Sequence, residues 1–318
     1  LQSKIDAHEI MYGITTGIGE FSEVTLSPEQ TQEFQKLLVR NHAAGIGEPM
    51  DLELVRGAIC GRINVHVKGH SGGRRQITEY LRDVLNHQIT PVVCEKGSVG
   101  ACGDLAPMSQ IALALMGEGE MFVNGKIVNS TKALKDIGLE PLELEARDGL
   151  ALINGSNVLT ALAALILYDS ERWMKMHDIA TAMTLEALKA NMKPYDKRIH
   201  SLRGFRGSQK IANNLNLLTA ESEILFSGEK KVQDAYSMRS TPQVAGTLRD
   251  SLEFARTQVE TELNGVGDNP IFLTKEKEVL TGANFQGSPI ALPMEMIGTG
   301  LSMVAVLSER RLNRLTNP

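Results

Sequence analysis

With 318 residues, 42% of them hydrophobic, the chain can bury a large core as one big domain or two smaller ones, which excludes disorder as its main state. Its 33 Lys and Arg stand against 38 Asp and Glu, a formal net charge of -5, with only short runs of one sign. That balance argues against nucleic acid or an anionic membrane as partner. Cys60, Cys94 and Cys102 form no CxxC pair and no His/Cys ligand spacing, so neither a disulfide framework nor a zinc site is expected, and a reducing, cytoplasmic setting fits.

Aromatic residues make up only 4% of the chain, while apolar residues recur at three- and four-residue spacing, as across 31–39 and 77–85, so long helices are expected. Residues 121–123 and 126–128 flank Asn124-Gly125, a strong short-range hairpin signal. From Ser156 onward the chain is apolar nearly all round, which suits a helix in the middle of a bundle. Its uninterrupted apolar stretch, about 158–168, is shorter than the ~20 residues of a spanning helix, so no membrane span is expected. A second hairpin is expected at 271–273 with 278–280. A second apolar helix is expected from about 289 to 312, its last part, 301–315, running to Asn317-Pro318. Leu1 is followed by no basic and then apolar leader, so no secretory signal is expected. No βαβ alternation, internal repeat or glycine-rich phosphate loop is visible. The expected fold is mainly α, a long-helix bundle with small β-hairpin additions.

The most unusual stretch is Gly97-Ser98-Val99-Gly100-Ala101-Cys102-Gly103-Asp104-Leu105-Ala106-Pro107. Its glycines permit positive φ and close backbone approach. Asp104 reads as a helix N-cap with Pro107 in the first turn, so a plain tight turn before a helix is one reading. A chemical reading stands beside it. Glycine has no side chain to block its amide nitrogen, which can attack the Ala101 carbonyl carbon; loss of water closes a five-membered ring. Elimination from the Cβ of Cys102 then leaves 4-methylidene-imidazol-5-one, an electrophile made without any external cofactor, metal or nucleotide.

Residues 97–110 resemble the signature of the aromatic amino acid ammonia-lyases and 2,3-aminomutases. Further matches follow in order: Tyr12-Gly13-Ile14-Thr15-Thr16-Gly17, Asn41-His42-Ala43-Ala44-Gly45-Ile46-Gly47, Gly149-Leu150-Ala151-Leu152-Ile153-Asn154-Gly155, Val232-Gln233-Asp234-Ala235-Tyr236-Ser237-Met238-Arg239, Asp268-Asn269-Pro270 and Asn284-Phe285-Gln286-Gly287. The resemblance implies a long-helix bundle of the histidine ammonia-lyase and fumarase-like type, usually a homotetramer with active sites built from several subunits. It departs at Cys102, where the family usually carries Ser; sulfide leaves more readily than hydroxide, so the ring can still form. The other reading is an unmodified cysteine in a loop that never cyclises.

Removing ammonia from an α-amino acid with loss of a weakly acidic β-proton needs help for a poor leaving group and a strong base within reach. The resemblance implies that the ring of Ala101, Cys102 and Gly103 serves the leaving group and that Tyr12, on a loop expected to be flexible enough for a lid, is the base. Arg239 is the natural anchor for the substrate carboxylate, because a guanidinium makes a planar bidentate pair. Asn154, Gln233 and Tyr236 match positions that orient the substrate or support the electrophile, and Phe285 matches one lining the pocket. Asn41 and His42 fall where the substrate side chain is read. A histidine there can hydrogen-bond an imidazole or a phenol, so phenylalanine fits least; Asn41 stands where Ser is often found. Cys60, Cys94, His66 and His70 are assigned to structure.

The expected function is an aromatic amino acid ammonia-lyase acting on L-histidine or L-tyrosine. A tyrosine 2,3-aminomutase with the same electrophile, an electrophile-free elimination from a betaine-type substrate, and an inactive helical scaffold stand as alternatives. The expected organisation is an active-site region over 1–150 and a helix bundle over 151–318. The family's later acidic site residue has no counterpart here, so a further C-terminal region is expected to be absent.

Overall fold

The structure is a computed structural model and describes residues 1–317. The chain divides into two compact units, Leu1–Ala163 with Val259–Ile290 and Ala164–Gln258 with Ala291–Pro318. These do not follow a division at residue 150. Three helices, Asn157–Ala187, Thr241–Asn264 and Ser288–Thr316, are 31, 24 and 29 residues long, and each contributes residues to both units.

In the first unit, helix Pro28–His42 begins with a capping box in which Ser27 and Gln30 satisfy each other's backbone amides, and Pro28 occupies the first turn, where its missing N–H costs nothing. It buries Thr31, Gln35, Leu38 and Val39, the spacing of one helical face, and packs on helices Leu105–Leu115 and Asp148–Ile153. Helix Leu52–Val67 packs on Arg75–Asn86, which buries Ile77, Tyr80, Leu81 and Val84. Each such aliphatic side chain withdrawn from water contributes about 1.5–3 kcal/mol.

Both expected hairpins are present: Glu120–Val123 with Lys126–Asn129, and Ile271–Leu273 with Glu278–Leu280. At the first tip Asn124 and Gly125 have φ of 48° and 76°, which only residues tolerant of the left-handed region adopt easily. A short strand, Thr90–Pro91, adds to this hairpin. Strand Ile46–Pro49 pairs antiparallel with Cys94–Lys96, which leads directly into the glycine-rich loop.

The second unit is built around Met174, Leu185, Tyr195, Leu215, Leu248 and Val304, all buried. Helices Arg206–Leu218 and Thr241–Asn264 cross where two glycines meet: a Cβ on Gly207 would lie 2.0 Å from the Gly246 carbonyl oxygen. Among these helices Asp178 accepts from Arg249 and Asn214, and its hydrogen bonds and the Arg249 charge hold its carboxyl below the usual range against the cost of burial.

By length and composition, two helical segments among the described residues are apolar enough to cross a membrane, Asp148–Ala187 and Ser288–Thr316, so the apolar stretches exceed the sequence-based expectation. In the first, 72% of the most apolar window is buried inside the protein, so there apolarity serves a core.

Candidate active site

The glycine-rich loop doubles back on itself. Gly100 bridges Gly103, and Ala101 bridges Gly103, with the Gly103 amide donating to the Gly100 carbonyl at 3.3 Å. Gly103 has φ +78°, and a Cβ there would sit 2.8 Å from the Gly155 carbonyl oxygen, so glycine is required both for the turn and for the approach. Ala101 and Cys102 are exposed at the tip while Gly103 and Asp104 are buried. Two segments grip the loop. The Asn154 side-chain amide donates to the Cys102 carbonyl at 3.4 Å, and the Asp104 amide donates to the Gly155 carbonyl at 2.8 Å. From another side, the Gly287 amide donates to the Gly100 carbonyl at 3.3 Å, and Ser156 Oγ donates to the Phe285 carbonyl at 2.7 Å.

Asp104 stands at the N-cap of helix Leu105–Leu115, but its side chain does not cap that helix. It accepts instead from Ser98 Oγ at 2.6 Å and from the Leu159 amide at 2.8 Å. The carboxylate therefore serves the first turn of helix Asn157–Ala187, whose unpaired amides attract an anion as strongly as its own helix would. Burial lifts its carboxyl above the usual carboxylate range, opposed by these donors. Burial and the neighbouring Asp104 charge lift Glu262 in the same direction.

Beneath the loop lies a cluster that the sequence reading missed. Arg62, fully buried, donates from Nε to the Ala151 carbonyl at 2.6 Å, from Nη1 to the carbonyls of Asn154 at 2.9 Å and Gly267 at 3.0 Å, and from Nη2 to Asp268 at 2.6 Å. Arg147, also fully buried, donates to the other Asp268 oxygen at 2.7 Å. One signal was available: Arg62 falls on the same helical face as Val55, Ala58, Ile59 and Val65, all buried, and a cation in such a stripe needs a buried anion.

Tyr12 is half-buried, and its hydroxyl accepts from the Gly19 amide at 3.2 Å. Its loop packs against the rest of the first unit. Residues 13–17 are buried, Thr15 Oγ1 accepts from the Met11 amide and donates to the Glu9 carbonyl, and Gln35 donates to the Gly13 carbonyl. A Cβ on Gly13 would lie 2.5 Å from Leu150 Cδ2. In this conformation side-chain hydroxyls and an amide satisfy the backbone of the loop expected to act as a lid.

Asn41 and His42 end helix Pro28–His42 and, with Gly17, Ile18 and Leu38, line a cavity of about 560 Å³. His42 Nδ1 lies 2.8 Å from the Leu38 carbonyl. That carbonyl can only accept, so Nδ1 is the donor there, and in that tautomer Nε2 is the acceptor. The segment after His42 meets the start of the loop: a Cβ on Gly97 would be 3.1 Å from Gly45 Cα. Gln110 receives the Cys94 amide at 2.9 Å and donates to Cys94 Sγ at 3.3 Å, consistent with a structural role for Cys94. Cys60, expected to be structural, is exposed. His70 Nδ1 contacts the Phe272 carbonyl at 2.7 Å. His66 bonds Thr78 and the Ala151 carbonyl, and burial followed by the Arg62 charge pushes its pKa down to about 3.

In the second unit Gln233, Tyr236 and Arg239 form one cluster. The Arg239 guanidinium lies 4.2 Å from the Tyr236 ring centroid, its Nε donates to the Asp234 carbonyl at 3.0 Å, and the Gln233 side-chain amide, once turned to point its oxygen at the guanidinium, accepts from Nη2 at 2.7 Å. The Asp234 carboxylate receives the Asn191 amide at 2.6 Å, and Tyr195 donates its hydroxyl to the Met238 carbonyl. The structure thus places the predicted residues in three groups: the loop with Asn154 and Phe285, the cavity wall with Asn41 and His42, and the Arg239 cluster. Tyr12 joins the cavity wall through its bond to Gly19.

The family profile of the aromatic amino acid lyases matches residues 1–318. The chain belongs to the aromatic amino acid lyase family. It is 42% identical over 315 residues to a histidine ammonia-lyase of Alkaliphilus metalliredigens, a match covering 99% of this chain and 62% of that protein. Among solved structures it is similar to tyrosine aminomutase from Streptomyces globisporus, with a TM-score of 0.90 at 35% identity over 99% of this chain and 64% of the other. It is also similar to the ergothioneine-degrading ergothionase from Treponema denticola, with a TM-score of 0.94 at 27% identity over 100% of this chain and 64% of the other. The chain spans about three-fifths of the length of the curated relatives it matches. The long-helix architecture expected from the sequence is that of this family.

Proposed function

We propose that this chain carries the machinery of an aromatic amino acid ammonia-lyase that eliminates ammonia from L-histidine, with L-tyrosine as second choice. The observation that carries the reading is the folded-back Ala101-Cys102-Gly103 loop, with an unencumbered glycine amide two residues beyond the carbonyl it would attack. The chemistry balances without an oxidant. The Gly103 N–H adds across the Ala101 carbonyl, water leaves with the Cys102 amide hydrogen, and hydrogen sulfide leaves with the Cys102 Cα hydrogen. When formed, the methylidene-imidazolone supplies an electrophile for the substrate amino group.

The chain's own residues do the rest. Arg239, its plane set by Tyr236 and Gln233, binds the substrate carboxylate. His42 offers the Nε2 lone pair to a ring N–H or phenol O–H, which supports histidine or tyrosine over phenylalanine. Asn41 stands beside it on the same wall, and Phe285 borders the loop. Asn154 orients the loop through the Cys102 carbonyl. Tyr12 takes the β-proton as the Cα–N bond breaks and ammonia departs, leaving the arylacrylate. Histidine is preferred because the curated relatives at about 40% identity are named histidine ammonia-lyases. The active form is a homotetramer with sites shared between subunits, in the cytoplasm.

The similarity to tyrosine aminomutase keeps a second reading open, in which the arylacrylate is held until amine returns at the β-carbon. The test is incubation of the purified protein with L-histidine, L-tyrosine and L-phenylalanine separately, following arylacrylate absorbance and then assaying β-amino acids. Arylacrylate from histidine alone is expected. A β-amino acid product would establish the mutase, and silence on all three from a folded protein whose mass equals the encoded chain would overturn the electrophile.

A further inference from the structure

We infer that Arg62 is a positioning residue for electrophile formation, acting through the backbone of Asn154 and Gly155; this rests on the ring-closing reading of Ala101-Cys102-Gly103. Three backbone segments are stacked here with no room between them. A Cβ on Gly103 would meet the Gly155 carbonyl oxygen at 2.8 Å, and a Cβ on Gly155 would meet the Gly267 carbonyl oxygen at 2.7 Å and Arg62 Nη1 at 2.9 Å. Among the described residues, Arg62 is the only side chain in this stack that bonds both supporting segments: the carbonyls of Ala151 and Asn154 on one, and Gly267 with the Asp268 carboxylate on the other. The first segment in turn bonds the loop on either side of its reacting nitrogen, through Asn154 to the Cys102 carbonyl and through Gly155 to the Asp104 amide.

Ring closure joins the nitrogen of Gly103 to the carbonyl carbon of Ala101, so the position of the residue under Gly103 sets how near those atoms come. A planar guanidinium with five donors can hold four acceptors at once in fixed directions; an ammonium cannot. Arg147 provides the internal control. It shares Asp268 at 2.7 Å and is as buried as Arg62, but its other side-chain bonds go to the carbonyls of Ser71 and Pro270, and only its main-chain carbonyl, which a lysine keeps, accepts from Ala151.

The experiment is intact-mass measurement of the purified wild type, Arg62→Lys, Arg147→Lys and Arg62→Gln, with thermal midpoints recorded alongside. Arg62→Gln leaves Arg147 and Asp268 as a neutral pair and serves if the lysine variant does not fold. The wild type is expected to lose one water and one hydrogen sulfide per chain. In the Arg62 variants the fraction of chains showing that loss is expected to fall about tenfold or more, as misplacement of reacting atoms commonly costs, while Arg147→Lys, with a similar fall in midpoint, keeps the wild-type fraction. Full loss of both molecules in the Arg62 variants would overturn the assignment, as would equal failure in Arg147→Lys. Absence of any mass loss in the wild type would overturn the ring reading itself, and this inference with it, and is told apart because it shows in the unmutated chain.

Discussion

A guanidinium that already stacks on Tyr236 and donates to the Asp234 carbonyl is oriented before any carboxylate arrives, so less freedom is lost on binding. Arg239→Lys keeps the charge but removes the fork and the stacking face. It is expected to lower kcat/KM about 10- to 100-fold, the equivalent of a charged hydrogen bond of about 1.5–3 kcal/mol, with the loss mainly in KM under steady-state kinetics. Tyr12→Phe removes a proton acceptor instead; kcat is expected to fall by roughly 10²–10⁴, with KM within a few-fold. His66 makes a prediction about pH. Its folded pKa of about 3 lies below the ordinary histidine value of 6.5, so between those values the unfolded chain binds a proton that the folded chain does not. Stability is then complete above about pH 6.5 and is lost on acidification toward pH 3, with a slope of up to about 1.4 kcal/mol per pH unit. His66→Gln, which can still donate to Ala151 and accept from Thr78, is expected to flatten the urea midpoint between pH 6 and 4; an unchanged slope would remove His66 from the account.

Elements meet most tightly where glycines replace side chains, and the crossing of helices Arg206–Leu218 and Thr241–Asn264 is the sharpest case. A Cβ on Gly246 would lie 2.4 Å from the Ser208 amide nitrogen, and backbone cannot rotate away as a flexible side chain can. Gly246→Ala is expected to cost about 3 kcal/mol or more, since overpacking against backbone exceeds the usual 1–3 kcal/mol range, despite alanine's better helix propensity; a urea midpoint shift in the stabilising direction would contradict the crossing. Periodicity made the helices themselves legible, and Asn124-Gly125 made the first hairpin legible, because both signals are local. The crossing was not, because Gly246 reads in sequence only as a weak helix residue. The same limit hid the role of Arg62, whose carbonyl and carboxylate acceptors lie 89 to 206 positions away, and misassigned the Asp104 carboxylate, whose better partner is the first turn of a helix about 55 residues on. Tyr12, Arg239 and the loop stand out through motifs, but motifs do not say that Thr15 and Gln35 bond the Tyr12 segment to its surroundings.

At the scale of the whole molecule, the long helices that contribute to both units carry more apolar surface than the described residues cover. Along helix Ser288–Thr316 only 33% of the most apolar window is buried, and Leu292, Met296, Met303 and Val306 are exposed by 63%, 40%, 44% and 62%. At 3.6 residues per turn these four fall within about 80° of arc, a single stripe. Helix Asn157–Ala187 likewise exposes Tyr168, Met176, Ile179 and Met183. Stripes of this extent on a chain with a net charge of only -5 suit burial against further copies of the same chain better than water. Sedimentation velocity is expected to show the wild type as a homotetramer, and the double variant Leu292→Glu with Val306→Glu, which sets unpaired carboxylates into the stripe, as a smaller species with an unchanged helical spectrum. Activity should fall with assembly if sites are shared between subunits, and variants that stay tetrameric would place the interface elsewhere. A wild type that sediments as a monomer at micromolar concentration, yet turns over substrate, would sink the shared-site proposal altogether.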